Sequence, residues 1–135
     1  MSGPTLFIID DQASVRHALS EMLNVFGFAV ETYQSADAFL ANLDPARPGC
    51  IVADVRMPDM NGLDLAVEVR RSWPEMPIGL MSGHLPEELG STHRELAGLP
   101  FLRKPFGAAG LIELVDALAA GARHALAAIA FAGGP

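Results

Sequence analysis

Five short apolar runs, separated by segments of helical period, constrain the fold of this 135-residue chain more than any other feature. Leu6-Phe7-Ile8-Ile9 has strand length and no polar alternation, the pattern of a strand covered on both faces. From Ala13 to Phe26 the apolar residues Val15, Leu19, Met22, Leu23 and Phe26 recur at helical spacing, and Gly27 supplies a C-terminal cap. Phe28 to Tyr33, aromatic and β-branched, predicts a second strand. Ser35 is an N-cap for a short helix to about Leu43, followed by a loop through Asp44-Pro45 and Arg47-Pro48-Gly49. Cys50 to Ala53 predicts a third strand that ends at Asp54. Met57 to Gly62 is a turn, and a helix carrying Leu63, Leu65, Val67 and Val69 runs on to Trp73-Pro74. Pro77 to Met81 and Leu99 to Leu102 predict strands four and five. Between them, 85–96 is a weaker helix, because Gly90 costs ~1 kcal/mol relative to alanine. A final helix starts at Gly107 and is expected to end near Ala120.

Alternating strands and helices, with strands too short and apolar to face water, require a parallel sheet covered by helices on both faces. The expected class is therefore α/β, a doubly wound five-stranded sheet in the order 2-1-3-4-5. Residues 1–121 suffice for this one domain, and 122–135 form an Ala/Gly-rich extension or linker. The extension holds Ala122, Leu126, Ile129 and Phe131, which suit a prolonged last helix or a partner interface. A single cysteine, Cys50, forms no internal bridge, fits a reducing compartment and reads as a small residue opening a buried strand. No apolar run reaches the ~18 residues of a membrane span, so a cytoplasmic location without membrane contact is expected. Sixteen acids against nine bases give a net charge of −7, which argues against direct nucleic-acid binding by this chain.

The polar residues at the ends of the strands carry the chemistry. Asp10 and Asp11 follow strand one, Asp54 ends strand three, Ser82 ends strand four and Lys104, the only lysine, follows strand five. In a 2-1-3-4-5 sheet the order reverses between strands one and three, and ligands sit beyond the carboxyl ends at that point. All three carboxylates then reach one crevice, where they repel unless a cation compensates. Oxygen ligands of this kind suit Mg2+. With the cation in place, Asp54 is a candidate phosphoryl nucleophile, Lys104 neutralises a further oxygen and Ser82 donates a hydrogen bond. Each residue alone is ordinary, as a helix cap, a turn residue or a loop lysine; the joint order gives the pattern its meaning. His17, His84, His93 and His124 have no ligand spacing and suit surface or capping roles, while Trp73 and the six methionines read as packing residues.

From about Thr5 to Leu118 the chain resembles the receiver domain of two-component response regulators, a flavodoxin-like fold. The resemblance rests on Ile8-Ile9-Asp10-Asp11, on Val52 through Gly62, on Met81-Ser82-Gly83-His84 and on Lys104-Pro105-Phe106, with Lys104 standing 22 positions after Ser82. Asp54-Val55-Arg56-Met57-Pro58 is similar to receivers of the nitrogen-fixation regulator type, and Leu99 through Phe106 also resembles receivers of hybrid histidine kinases. The resemblance implies that Asp54 accepts a phosphoryl group from a histidine kinase or phosphotransfer protein. It further implies Mg2+ bound by Asp11 and Asp54 directly, by the Arg56 backbone carbonyl, and by Asp10 mainly through water. Ser82 and Phe101 would form the switch, and the Lys104–Pro105 bond would be cis. Phe101 lacks the hydroxyl of a tyrosine, and Arg56 bears on the lifetime of the phosphoryl group. The helix over 85–96 is expected to be mobile or partly unwound before activation.

Such a chain is a switch rather than an enzyme, and is either free-standing or part of a longer regulator. Its surface from the fourth predicted helix through strand five to the last helix is expected to control an output partner or a phosphorylation-dependent homodimer. The alternative is a Mg2+-dependent aspartate-nucleophile phosphatase of the haloacid dehalogenase type. That class favours Asp-x-Asp, and here Arg56 occupies the second aspartate's place. A flavodoxin-like cofactor module would need a phosphate loop after strand one, where Asp10-Asp11-Gln12 would repel a phosphate.

Overall fold

The computed structural model describes residues 4–44, 46–47, 49–83, 96 and 98–132, with side chains described as far as residue 121. Five parallel strands, β1 (Thr5–Ile9), β2 (Val30–Tyr33), β3 (Gly49–Asp54), β4 (Ile78–Ser82) and β5 (Phe101–Arg103), lie in the order β2-β1-β3-β4-β5. The described helices are α1 (Ala13–Val25), α2 (Ala36–Asn42), α3 (Gly62–Ser72) and the final helix α4 (Ala108–Ala132). The expected doubly wound α/β sheet is the one observed. The helix predicted over 85–96, with its proposed mobility, lies outside the described residues, apart from buried Leu96.

Because successive strand residues point to opposite faces, each apolar run feeds two cores. Phe7, Ile9, Ile51, Ala53, Ile78 and Leu80 pack with Phe39 of α2 and Leu65, Ala66 and Val69 of α3. Leu6, Ile8, Cys50, Val52 and Met81 face the other way, onto Leu19 and Leu23 of α1 and Leu111, Leu114, Val115 and Leu118 of α4. Each such fully buried leucine or phenylalanine contributes about 1.5–3 kcal/mol. At Gly79 a side chain would begin 3.2 Å from Leu114 and Leu118, so its absence lets α4 lie close to β4.

Two expectations are corrected at the end of α1. Phe26 is not part of the core; it is 57% exposed, and β2 starts at Val30 instead of Phe28. The cause is the helix cap. Gly27 adopts φ +91°, its N–H bonds to the Asn24 carbonyl, and the Phe28 N–H bonds to the Leu23 carbonyl. This paired closure turns Phe28 inward against the core below Leu23, leaves Phe26 outside, and uses the Phe28 donor before any strand can form. Strand five is also shifted, to Phe101–Arg103, because the Leu99 N–H closes a turn onto Leu96 and Pro100 has no N–H to give.

Ser35 caps α2 by accepting from the Ala38 N–H at 3.0 Å, and Asn61 caps α3 by accepting from the Asp64 N–H at 2.9 Å. Trp73 is half-buried against the first core, Cys50 is fully buried in β3, and His17 is exposed, pairing with Glu21 at 3.1 Å. The last helix runs past Ala120 to Ala132. Among the described residues, no helix is long and apolar enough to cross a membrane.

Candidate functional site

The register of the sheet sets the site. Ile9 pairs with Ala53, so Asp10 leaves β1 level with Asp54 on the neighbouring strand; Asp54 in turn pairs with Met81, one residue before Ser82. The backbone then fixes each residue. Asp10 donates its N–H to the Tyr33 carbonyl at 3.1 Å, and Lys104 donates its N–H to the Ser82 carbonyl at 2.9 Å. The Lys104–Pro105 bond is cis.

Asp10, Asp11 and Asp54 each offer one carboxylate oxygen, and these oxygens lie within 4.8 Å of one another. Asp10 and Asp54 are buried, whereas Asp11 is exposed. The Lys104 Nζ stands 3.4 Å from Asp54 Oδ2 and 3.6 Å from Asp10 Oδ2. The Asp10 carboxylate is divided: Oδ1 accepts from the Gln12 N–H at 2.9 Å, while buried Oδ2 has no hydrogen-bond partner. The lysine compensates charge at Oδ2 from beyond hydrogen-bonding distance.

Burial pushes the Asp54 carboxyl above the usual carboxylate range, and the neighbouring Asp10 adds to that; Lys104 and the Arg56 N–H, 3.4 Å from Oδ1, pull the other way. One ammonium therefore does not fully offset burial and crowding. An added divalent ion fits this deficit, since the donors are all hard oxygens and one is buried without a partner.

Asp11 does not cap α1. The N-cap is Gln12, with no side-chain cap bond, so the Asp11 carboxylate is not spent on the helix. Ser82 is buried at the end of β4, Phe101 is half-buried against the first core, and the Arg56 side chain is exposed.

Three supporting residues escaped the sequence reading. Gln12 and Arg16 bind the two ends of Asp10, the Arg16 guanidinium donating to its main-chain oxygen at 2.8 Å. Gly62 packs against the Asp54 main chain, and its N–H bonds to the Val55 carbonyl at 3.0 Å. A glycine opening a helix is a signal that could have marked the last; backbone acceptors leave no trace in a sequence.

The response regulator receiver domain model matches residues 6–116. The transcriptional regulatory protein FixJ of Azorhizobium caulinodans is 40% identical over 110 residues, covering 82% of this chain and 52% of that protein. FixJ of Rhizobium meliloti is 35% identical over 116 residues, covering 86% of this chain and 57% of that one. This chain thus spans about half the length of the curated relatives it matches. Among solved structures, FixJ-N superposes with a TM-score of 0.77 at 34% identity, over 92% of this chain and 97% of that one. With its parallel 2-1-3-4-5 sheet, its acidic crevice and these relatives, the chain belongs to the response regulator receiver domain family.

Proposed function

We propose that this chain is a phosphoacceptor signalling switch in which Asp54 takes a phosphoryl group from a histidine kinase or a phosphotransfer protein. The observation that carries this reading is the convergence of three carboxylate oxygens within 4.8 Å of one another, with the Lys104 Nζ 3.4 Å from Asp54. An Asp54 oxygen attacks phosphorus, the P–N bond of the donor breaks, and its electron pair returns to the imidazole. Lys104 neutralises an oxygen of the arriving group, and the Ser82 hydroxyl donates to another. Asp11 and Asp54 side chains, the Arg56 backbone carbonyl and, through water, Asp10 would hold Mg2+. When bound, Mg2+ supplies the charge compensation that crowded carboxylates and a phosphoryl group require.

Phosphorylation of Asp54 replaces a carboxylate beside Lys104 with a bulkier, more negative acyl phosphate. Ser82 moving toward that group frees space for the half-buried Phe101 ring, which passes the change to the surface around β5. The output is an altered surface for a partner or a second copy, not product turnover, so the chain is a switch and not an enzyme. Its expected setting is the cytoplasm, with residues 1–121 as the receiver and 122–135 as an extension, into which α4 runs as far as Ala132. Arg56 in place of a second aspartate, together with the family match, leaves the dehalogenase-type phosphatase without support.

The test is incubation with acetyl phosphate and Mg2+, borohydride trapping of the acyl phosphate, and peptide mapping. Modification at Asp54 that disappears with a chelator is expected; modification elsewhere, or none, would overturn the reading.

A further inference from the structure

The reading of the acidic crevice as a Mg2+ site leaves open what holds its one fully buried acid in place. Asp10 is 0% exposed, so its polar atoms depend on protein partners. Its N–H is tied to the Tyr33 carbonyl, its Oδ1 to the Gln12 N–H, and its main-chain oxygen to Arg16, six residues on and already on α1. Together these bonds leave Oδ2 as the unpartnered atom, on the side of Lys104 and Asp54. The Tyr33 and Gln12 bonds use main-chain donors that substitution does not remove. Arg16 is the one side chain among the three contacts.

We infer that Arg16 is a positioning residue for the cation site: by holding the Asp10 main-chain oxygen, it fixes the Asp10 carboxylate with one oxygen turned into the crevice. The inference rests on the Mg2+ reading given above. The guanidinium reaches across the turn between β1 and α1, so the helix itself braces the turn that carries Asp10 and Asp11. Without it, a buried carbonyl loses its charged donor, and the turn must rearrange to hydrate that oxygen. Asp10 and Asp11 then rotate relative to Asp54, which stays fixed in β3. Groups that orient ligands in this way typically change metal affinity by about 10–100-fold when removed.

The experiment is calorimetric titration of the full chain with Mg2+ alone, comparing wild type, Arg16→Met, Arg16→Lys and the exposed-site control His17→Gln. Arg16→Met is expected to weaken binding about tenfold, Arg16→Lys to recover much of the loss through its remaining donor, and His17→Gln to match wild type. A second readout is the Mg2+ dependence of modification by acetyl phosphate. Arg16→Met should shift half-saturation to higher Mg2+ with little change in the plateau. Unaltered Mg2+ affinity in folded Arg16→Met, or a lowered plateau at unchanged half-saturation, overturns the inference. Should Arg16→Met fail to fold, Arg16→Lys decides: binding weakened by less than about tenfold, with half-saturation moved to higher Mg2+ at an unchanged plateau, supports the positioning role, and binding as tight as wild type, or a loss of about tenfold or more, overturns it. Absence of Mg2+ binding by wild type would instead overturn the site reading itself.

Discussion

Gly62 lies so close beneath Asp54 that a Cβ atom there would stand 2.4 Å from the Asp54 main-chain oxygen. The neighbouring atoms are backbone, so no side chain can swing away to make room. The first residue of α3 thus props the strand end that carries Asp54. Gly62→Ala is expected to cost about 3 kcal/mol, at the upper end of overpacking penalties. Urea unfolding measures it, with Gly107→Ala as the control because nothing lies within 4 Å of a Cβ there.

Asp54→Asn is expected to raise the thermal midpoint in the absence of Mg2+ at neutral pH. Burial raises the carboxyl of Asp54 above its ordinary value, so ionising it opposes folding. The sign follows from linkage: the favourable contribution of the protonated acid is complete below the ordinary carboxylate value and is lost as pH rises through the raised one. The difference between variant and wild type should therefore widen from acid toward neutral pH. Thermal scans across that range check it; a difference that shrinks toward neutral pH contradicts it.

Lys104→Met removes the ammonium that compensates Asp10 and Asp54. A fully buried pair loses 3–5 kcal/mol when broken, but the Lys104 side chain is 32% exposed, so a loss of about 2 kcal/mol without metal is expected. Added Mg2+ should then raise the melting temperature more in this variant than in wild type, because no ammonium competes for the same oxygens. Melting curves with and without Mg2+ provide the measurement.

Asp59, in the loop between β3 and α3, adopts φ +64°, a left-handed conformation that β-branched residues resist. Asp59→Val is expected to destabilise the fold by about 1–2 kcal/mol, measured by urea unfolding.

The sheet order was legible because both-face burial makes Leu6–Ile9 and Cys50–Ala53 continuously apolar, a signal that survives without tertiary information. Strand ends were less so. Phe28 looks like a strand residue, but its N–H is committed to closing α1, which a propensity argument does not weigh. In the crevice, Asp10, Asp11, Asp54 and Lys104 could be placed because topology alone sends strand ends to one rim. The division of labour within the acids was not legible: that Asp10 is buried with one oxygen unpartnered, and Asp11 exposed, depends on Gln12 and Arg16 binding the turn. Arg16 and Gly62 act through main-chain oxygens, whose partners no side-chain pattern announces.

Intact mass of the whole chain after exposure to acetyl phosphate, with and without Mg2+, tests the central claim most directly. Wild type should gain the mass of one phosphoryl group only when Mg2+ is present, and Asp54→Asn should gain none. An unmodified wild type under those conditions, or equal modification of Asp54→Asn, would contradict the assignment of this crevice as a phosphoacceptor site.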